Sequence, residues 1–285
     1  MKLHTINTGF FKLDGGAMFG VVPKSIWNKL NPADEHNLCS WALRCLLVET
    51  GDRLILIDTG MGDKQDEKFF SHYYLHGNDT MDSSLKSAGF TRIDITDVFL
   101  THLHFDHVGG AVKKEGSNLV PAFPNAIYWS NESHWQWAVQ PNDREKASFL
   151  KENILPLEES GRLRFVDLTK AGGFLPAVDF MEGFKVRLAG GHTRDMMLPQ
   201  LEYRGKTIIY MADLLPSAAH IPLPYVMAYD MFPLQTLDEK KSFLQEALEK
   251  EYVLYFEHDP VNECCTLEQT AKGIRAGKLF KLEDL

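Results

Sequence analysis

Thr101-His102-Leu103-His104-Phe105-Asp106-His107-Val108-Gly109-Gly110 places four potential metal ligands within six consecutive residues, directly after the apolar run 95–100. That run reads as a buried strand, so the ligands emerge at a strand end, where sites usually assemble. In an extended segment alternate side chains share a face, and His102 and His104 can therefore reach one ion together. The turn at Asp106-His107 redirects the next two ligands toward a neighbouring ion, and Gly109-Gly110 permits the change of direction. Neutral imidazoles with a carboxylate suit zinc first, and manganese and iron also fit the set. Two divalent ions about 3.5–4 Å apart point to hydrolysis, with a hydroxide held between them as nucleophile and the departing oxygen stabilised.

Outward from this stretch, strand and helix signals mix throughout. Residues 42–48 and 54–57 are apolar runs on either side of Thr50-Gly51-Asp52, which predicts a hairpin. Residues 83–88 have short helical character ending at Gly89. Residues 130–139 and 144–153 read as helices separated by Pro141-Asn142-Asp143. Strands follow at 163–166 and 184–188, then a hairpin of 197–203 and 207–211 around Arg204-Gly205-Lys206. An amphipathic helix over 237–250 precedes a strand over 252–256. No linker or repeat divides the chain, so a single α/β (α+β) domain over residues 1–285 is expected, with loops at 15–35 and 217–233 over a pocket.

Composition narrows the function classes. The 285 residues are 44% hydrophobic and 24% charged, ordinary for a globular protein with a sizeable core. A net charge of −9 with scattered Lys and Arg lacks the basic stripe of a nucleic-acid binder, and the doublets Lys113-Lys114 and Lys240-Lys241 read as solvated surface charge. The start, MKLHTINTGFFKLDGG, carries no secretory pattern, and no window reaches the roughly 18 apolar residues of a membrane span. A cytoplasmic protein with a small-molecule substrate, no nucleic acid and no membrane partner is expected. Cys39, Cys45, Cys264 and Cys265 form no C-x-x-C pair and read as buried thiols.

The H-x-H-x-D-H pattern at residues 102–107 resembles the signature of the metallo-β-lactamase superfamily. Gly191-His192-Thr193, then Asp213, then His258 resemble its later motifs in order. The resemblance implies a four-layer αββα sandwich in which His102, His104 and His192 hold one metal, Asp106, His107 and His258 hold the second, and Asp213 bridges. Asp58, in Leu54-Ile55-Leu56-Ile57-Asp58-Thr59-Gly60, is then expected beneath the metals, orienting a ligating imidazole. Asp106, between the ions, would carry a proton from nucleophile to leaving group.

An aspartate at 106 and a histidine at 258 look like the lactonase and organophosphate-hydrolase branch, which implies a small ester, lactone or phosphotriester as substrate. Gly16-Ala17-Met18-Phe19-Gly20 is similar to a pocket loop of that branch, with Met18 and Phe19 as an apolar wall. Two departures stand out. Arg194-Asp195-Met196 replaces the continuation of relatives that carry a second histidine, and Leu214-Leu215-Pro216 follows Asp213 where lactone-opening relatives place a tyrosine. His220 and Tyr225 are the candidate substitutes. The alternative is an iron-containing, dioxygenase-like redox enzyme on the same fold, and pairing into a homodimer stays open.

Overall fold

Continuous apolar runs at 45–48 and 54–57 cannot present one wet face and one dry face, so they form strands buried on both sides. In the computed structural model, which describes all residues from Met1 to Leu285, the chain divides into two units. The first comprises Met1–Gly9 with Leu43–Thr169, and the second Phe10–Ala42 with Lys170–Leu285.

The first unit holds the start of β1 (Lys2–Asp14) and the end of β2 (Leu38–Thr50), whose remainders fall in the second, and β3 (Arg53–Ile57), β4 (Asp97–Phe99), β5 (Val112–Glu115), β6 (Asn118–Pro121), β7 (Ile127–Ser130) and β8 (Leu163–Phe165). Six of them make one sheet in the order β1-β2-β3-β4-β7-β8, and β5 pairs with β6 separately. The expected hairpin is β2–β3, closed at Thr50↔Arg53, and the sheet continues in parallel through β4, β7 and β8. Three of its strands are tied by one carboxylate. Asp97 accepts from Arg53 Nη2 at 2.5 Å, Arg53 Nε at 3.0 Å and Trp129 Nε1 at 2.8 Å. The helix Met81–Ser87 starts in a Thr80–Ser83 capping box and ends at Gly89, whose φ of 90° suits glycine. Its buried Leu85 joins Leu47, Leu56, Val98, Leu100, Tyr128 and Leu157 in the core, each such side chain contributing about 1.5–3 kcal/mol.

One predicted helix is misplaced. Residues 143–148 form turns, and the helix runs over Lys151–Glu159. Asn142 Oδ1 accepts from the backbone of Arg144 and Glu145, a side-chain turn that competes with helix, and Ser148 O is taken by Phe105 N.

The second unit holds β9 (Ala177–Met181), β10 (Phe184–Ala189), β11 (Met196–Tyr203), β12 (Lys206–Tyr210), β13 (Val253–Tyr255), β14 (Cys264–Thr270) and β15 (Gly273–Phe280), in the order β15-β14-β13-β12-β11-β10-β9. All neighbours are antiparallel except β12–β13. The β11–β12 turn is the two-residue Arg204-Gly205, with φ of 50° and 74°, matching the right-handed strand twist. The helix Pro233–Glu249 starts with proline in its first turn and buries Phe243, Leu244 and Ala247. Arg187 on β10 grips Glu246 of that helix through both carboxylate oxygens, at 2.8 and 2.7 Å.

Two expectations need correction. Of the doublet Lys240-Lys241, only Lys241 is exposed, because Lys240 sits on the inward side of the helix and is fully buried. Residues 15–35 contain two short helices, Gly15–Phe19 and Lys24–Trp27, because Phe19 stacks on Trp27 at 5.4 Å and draws the segment into the core. A Cβ at Gly15 would lie 2.3 Å from the Trp27 ring. All four cysteines are buried and free, and no helix is long and apolar enough to cross a membrane.

Candidate metal centre

Four of the expected ligands stand three residues beyond a strand: His102 after β4, His192 after β10, Asp213 after β12 and His258 after β13. In the first unit the chain turns at once after His104 into the short helix Phe105–Val108, which turns Asp106 and His107 back toward His102. The rings of His102 and His107 are 3.9 Å apart, and His107 Nε2 lies 3.8 Å from Asp106 Oδ2. Gly109 and Gly110 serve this turn differently from the expected way. Gly109 has an ordinary helical φ of −56°, but a Cβ there would meet Met61 O at 2.0 Å, and one on Gly110 would meet Thr59 O at 2.2 Å. They are glycines because two backbones touch.

Each histidine has one ring nitrogen fixed by an outer partner. His107 Nδ1 is 3.1 Å from Asp58 Oδ2, and His104 Nε2 is 3.0 Å from Glu145 Oε1. Thr101 Oγ1 donates to Asp58 Oδ2 at 2.7 Å, so it offers His102 Nδ1, at 3.1 Å, a lone pair. In the second unit His192 Nδ1 is 2.9 Å from Asp230 Oδ1, and His258 Nδ1 is 2.8 Å from the carbonyl of Ala42. Carbonyls and carboxylates only accept, so these ring nitrogens carry hydrogens, and the opposite nitrogens would present lone pairs to a bound metal. Those opposite nitrogens converge within each unit. His102 Nε2 and His104 Nδ1 are 3.1 Å apart, while His192 Nε2 and His258 Nε2 lie 3.1 and 3.2 Å from separate oxygens of Asp213.

This donor set fits divalent metal. In the first unit His102, His104 and His107 lie with Asp106, in the second His192 and His258 lie with Asp213, and the outer partners orient the rings. Burial disfavours a charged His192, yet Asp213 and then Asp230 outweigh it and push its pKa up to about 10. The pair of carboxylates is built for positive charge, and a metal takes the place of that proton.

Asp58 occupies the first residue after β3 with φ of 56°, anchored by Thr101 N at 2.8 Å. Glu145 and Asp230 were not singled out by sequence reasoning. Glu145 Oε2 also accepts from Trp137 Nε1 at 2.6 Å, and it lies in the segment misread as helix. Asp230 has no local pattern linking it to His192. His134 is a structural histidine, its Nε2 accepting from Leu103 N at 2.9 Å between the two ligands.

The four pocket candidates meet in the second unit. Met18 and Phe19 are buried, His220 stacks on Phe19 at 4.7 Å, and Tyr225 meets Phe19 edge-on at 6.3 Å. Both His220 nitrogens are engaged, with Ser217 Oγ at 2.8 Å and Met18 O at 3.0 Å, and burial pushes its pKa down to about 3. His220 is a neutral part of the aromatic layer.

Residues 44–258 match the metallo-β-lactamase superfamily. The chain belongs to this superfamily. Its mixed α/β fold is that of the superfamily too, as the resemblance of residues 102–107 implied. A solved structure of a probable metal-dependent hydrolase from Staphylococcus aureus is similar with a TM-score of 0.87 and 28% identity, covering 100% of this chain and 98% of that one. The dizinc quorum-quenching lactonase AidC, at TM-score 0.79 and 24% identity over 99% of this chain and 97% of its own, shares the fold. An N-acyl homoserine lactonase from Bacillus thuringiensis is 29% identical over 165 residues, 54% of this superfamily member and 56% of the relative. The chain thus spans about half the length of the curated relatives it matches.

Proposed function

We propose that residues 1–285 form one dinuclear metal-dependent hydrolase, with His102, His104 and His192 around one ion, Asp106, His107 and His258 around the other, and Asp213 shared. Zinc is the first choice of metal. The observation that carries this reading is that each of the five histidines has one ring nitrogen held by an outer partner, Nδ1 in four and Nε2 in His104. Two oxygens of Asp213 facing two different histidines support its bridging role.

When bound, a metal pair supplies Lewis-acid polarisation of a carbonyl or phosphoryl oxygen and an activated water at neutral pH. The chain's own residues do the rest. Asp58, Glu145 and Asp230 each hold one ring nitrogen of His107, His104 and His192, so that none of these rings turns away. Asp106 accepts the proton of the attacking water at its carboxylate and returns it to the departing oxygen, which leaves as an alcohol. A small ester or lactone is the proposed substrate class, with phosphotriesters next. The lactonase relatives and the apolar Met18–Phe19 segment support the former.

The test is elemental analysis of gently purified protein beside hydrolysis of aryl esters, lactones, phosphotriesters and a cephalosporin. About two zinc or manganese ions per chain with chelator-sensitive turnover is the expected outcome. Stoichiometric iron without hydrolysis would replace this reading with a redox one, and protein without metal would end it.

A further inference from the structure

Glu239 and Lys240 are neighbours on the helix Pro233–Glu249 of the second unit, and both side chains are buried. Buried charges survive only where something pairs with them. Glu239 takes the turn that presents His192: its Oε1 accepts from Gly190 N at 2.8 Å and its Oε2 from Gly191 N at 3.0 Å. That turn lies hard against the helix, since a Cβ on Gly191 would be 2.3 Å from Thr236 Oγ1. Lys240 takes a different segment. Its ammonium donates to the carbonyls of Tyr225 at 2.7 Å, Pro222 at 3.1 Å and Leu223 at 3.3 Å.

Those three carbonyls belong to the connection that starts at Asp213 and ends at Asp230, the two carboxylates that flank His192 on its Nε2 and Nδ1 sides. Consecutive helix positions point about 100° apart, so neighbouring side chains can reach two segments at once. The far end of the connection is pinned as well, with Met231 N on His192 O at 3.0 Å and Phe232 N on Gly191 O at 2.8 Å. Burial draws the Glu239 pKa up against the hydrogen bonds from Gly190, Gln235 and Gly191, and the Lys240 pKa down to about 7 against the charge of Asp230.

We propose that Glu239 and Lys240 are positioning residues that set His192 against Asp213 and Asp230, and thereby the affinity and geometry of the metal that His192 holds. The proposal rests on His192 being a ligand. It assigns a purpose to a lysine and a glutamate that touch neither metal nor substrate.

The experiment uses the full chain, stripped with chelator and reloaded with cobalt(II) chloride, for wild type, Glu239→Gln, Lys240→Met and Lys241→Met. Cobalt stoichiometry, affinity by chelator competition, and visible absorption at matched occupancy are read, with far-UV circular dichroism to establish folding. Glu239→Gln and Lys240→Met are expected to weaken cobalt binding about tenfold or more, the range of outer-partner losses, and to shift the visible bands. The exposed Lys241→Met is expected to match wild type. Folded Glu239→Gln with wild-type affinity and spectrum overturns the proposal, and this near-isosteric change keeps the test open if Lys240→Met does not fold. Wild type that takes up no cobalt overturns the metal reading itself, whereas wild type that binds beside equally tight variants removes the positioning role alone.

Discussion

The first unit draws His102, His104, Asp106 and His107 from one strand end and the single turn after it, while the second draws His192, Asp213 and His258 from the ends of β10, β12 and β13. In the first set the covalent chain does most of the positioning, and what it needs is room, hence Gly109 and Gly110 against the backbone of 59–61. In the second set no proposed ligand is near another in sequence, so position is imposed by groups far away: Asp230, Glu239 and Lys240. A clustered set is therefore robust to changes outside it, and a dispersed set is exposed to them.

The sharpest way to break that contrast is at Asp213. Asp213→Ala removes the one group that faces both His192 and His258, and metal retention is expected to fall by more than the about 10–100-fold that outer partners carry. Elemental analysis after dialysis checks it, and full occupancy would refute the bridging role. Asp106→Asn should keep the metal far better and lower turnover about 10²–10⁴-fold, as loss of a proton carrier does. Full turnover in that variant would exclude Asp106 from proton transfer.

Next come the outer partners. Glu145→Gln and Asp230→Asn each replace a carboxylate acceptor of a ring nitrogen by a neutral amide, and each is expected to weaken metal binding within about 10–100-fold. Asp230→Asn should lie at the upper end, because His192 has no covalent neighbour among the ligands while His104 keeps His102 and the helix Phe105–Val108 beside it. Competition with a chelator ranks the two, and a larger loss for Glu145→Gln would reverse the contrast.

The same contrast explains what could be read from sequence. Residues 102–107 announce themselves because spacing along one chain determines which side chains lie together. The hairpins at Thr50–Arg53 and Arg204-Gly205 were legible for the same local reason. Glu145 and Asp230 were not, since each is selected by a tertiary neighbour, and Asn142's side-chain turn overrode the helical propensity around Glu145. Lys240 looked like half of a surface doublet because a helix places adjacent residues on different faces, and nothing in Lys-Lys says which one points inward. His220, offered as a substrate group, proved saturated by Ser217 and Met18.

Glycine substitutions sharpen the comparison in stability terms. Gly109→Ala drives a methyl into Met61 O at 2.0 Å, with backbone on both sides, whereas Gly191→Ala meets Thr236, whose Oγ1 at 2.3 Å can rotate but whose N at 2.4 Å cannot. Both should fall at the upper end of the about 1–3 kcal/mol typical of overpacking, Gly109→Ala the worse. Urea midpoints for the two variants decide the order.

The smallest expected effect concerns the arginine fasteners, one in each unit. Asp97 is held below the ordinary carboxylate range because Arg53, Thr96 and Trp129 together overcome its burial. Glu246, also opposed by burial, is pulled down to about 2 by Arg187 and Lys250. Both carboxyls are depressed in the folded state, so the unfolded chain binds more protons on the acid side. Their contribution is complete above about pH 5 and is lost as pH falls toward 2. Glu246 remains partly open to solvent, with its side chain 27% exposed, so screening limits Glu246→Gln to under about 1 kcal/mol at pH 7. Asp97, 3% exposed and wedged between β3 and β7, should cost more when changed to Asn because Arg53 and Trp129 lose their acceptor. The discriminating quantity is the slope of unfolding free energy between pH 5 and 3. It should be shallower in Glu246→Gln than in wild type and shallower in Asp97→Asn as well, and parallel slopes would show that neither fastener titrates with the fold.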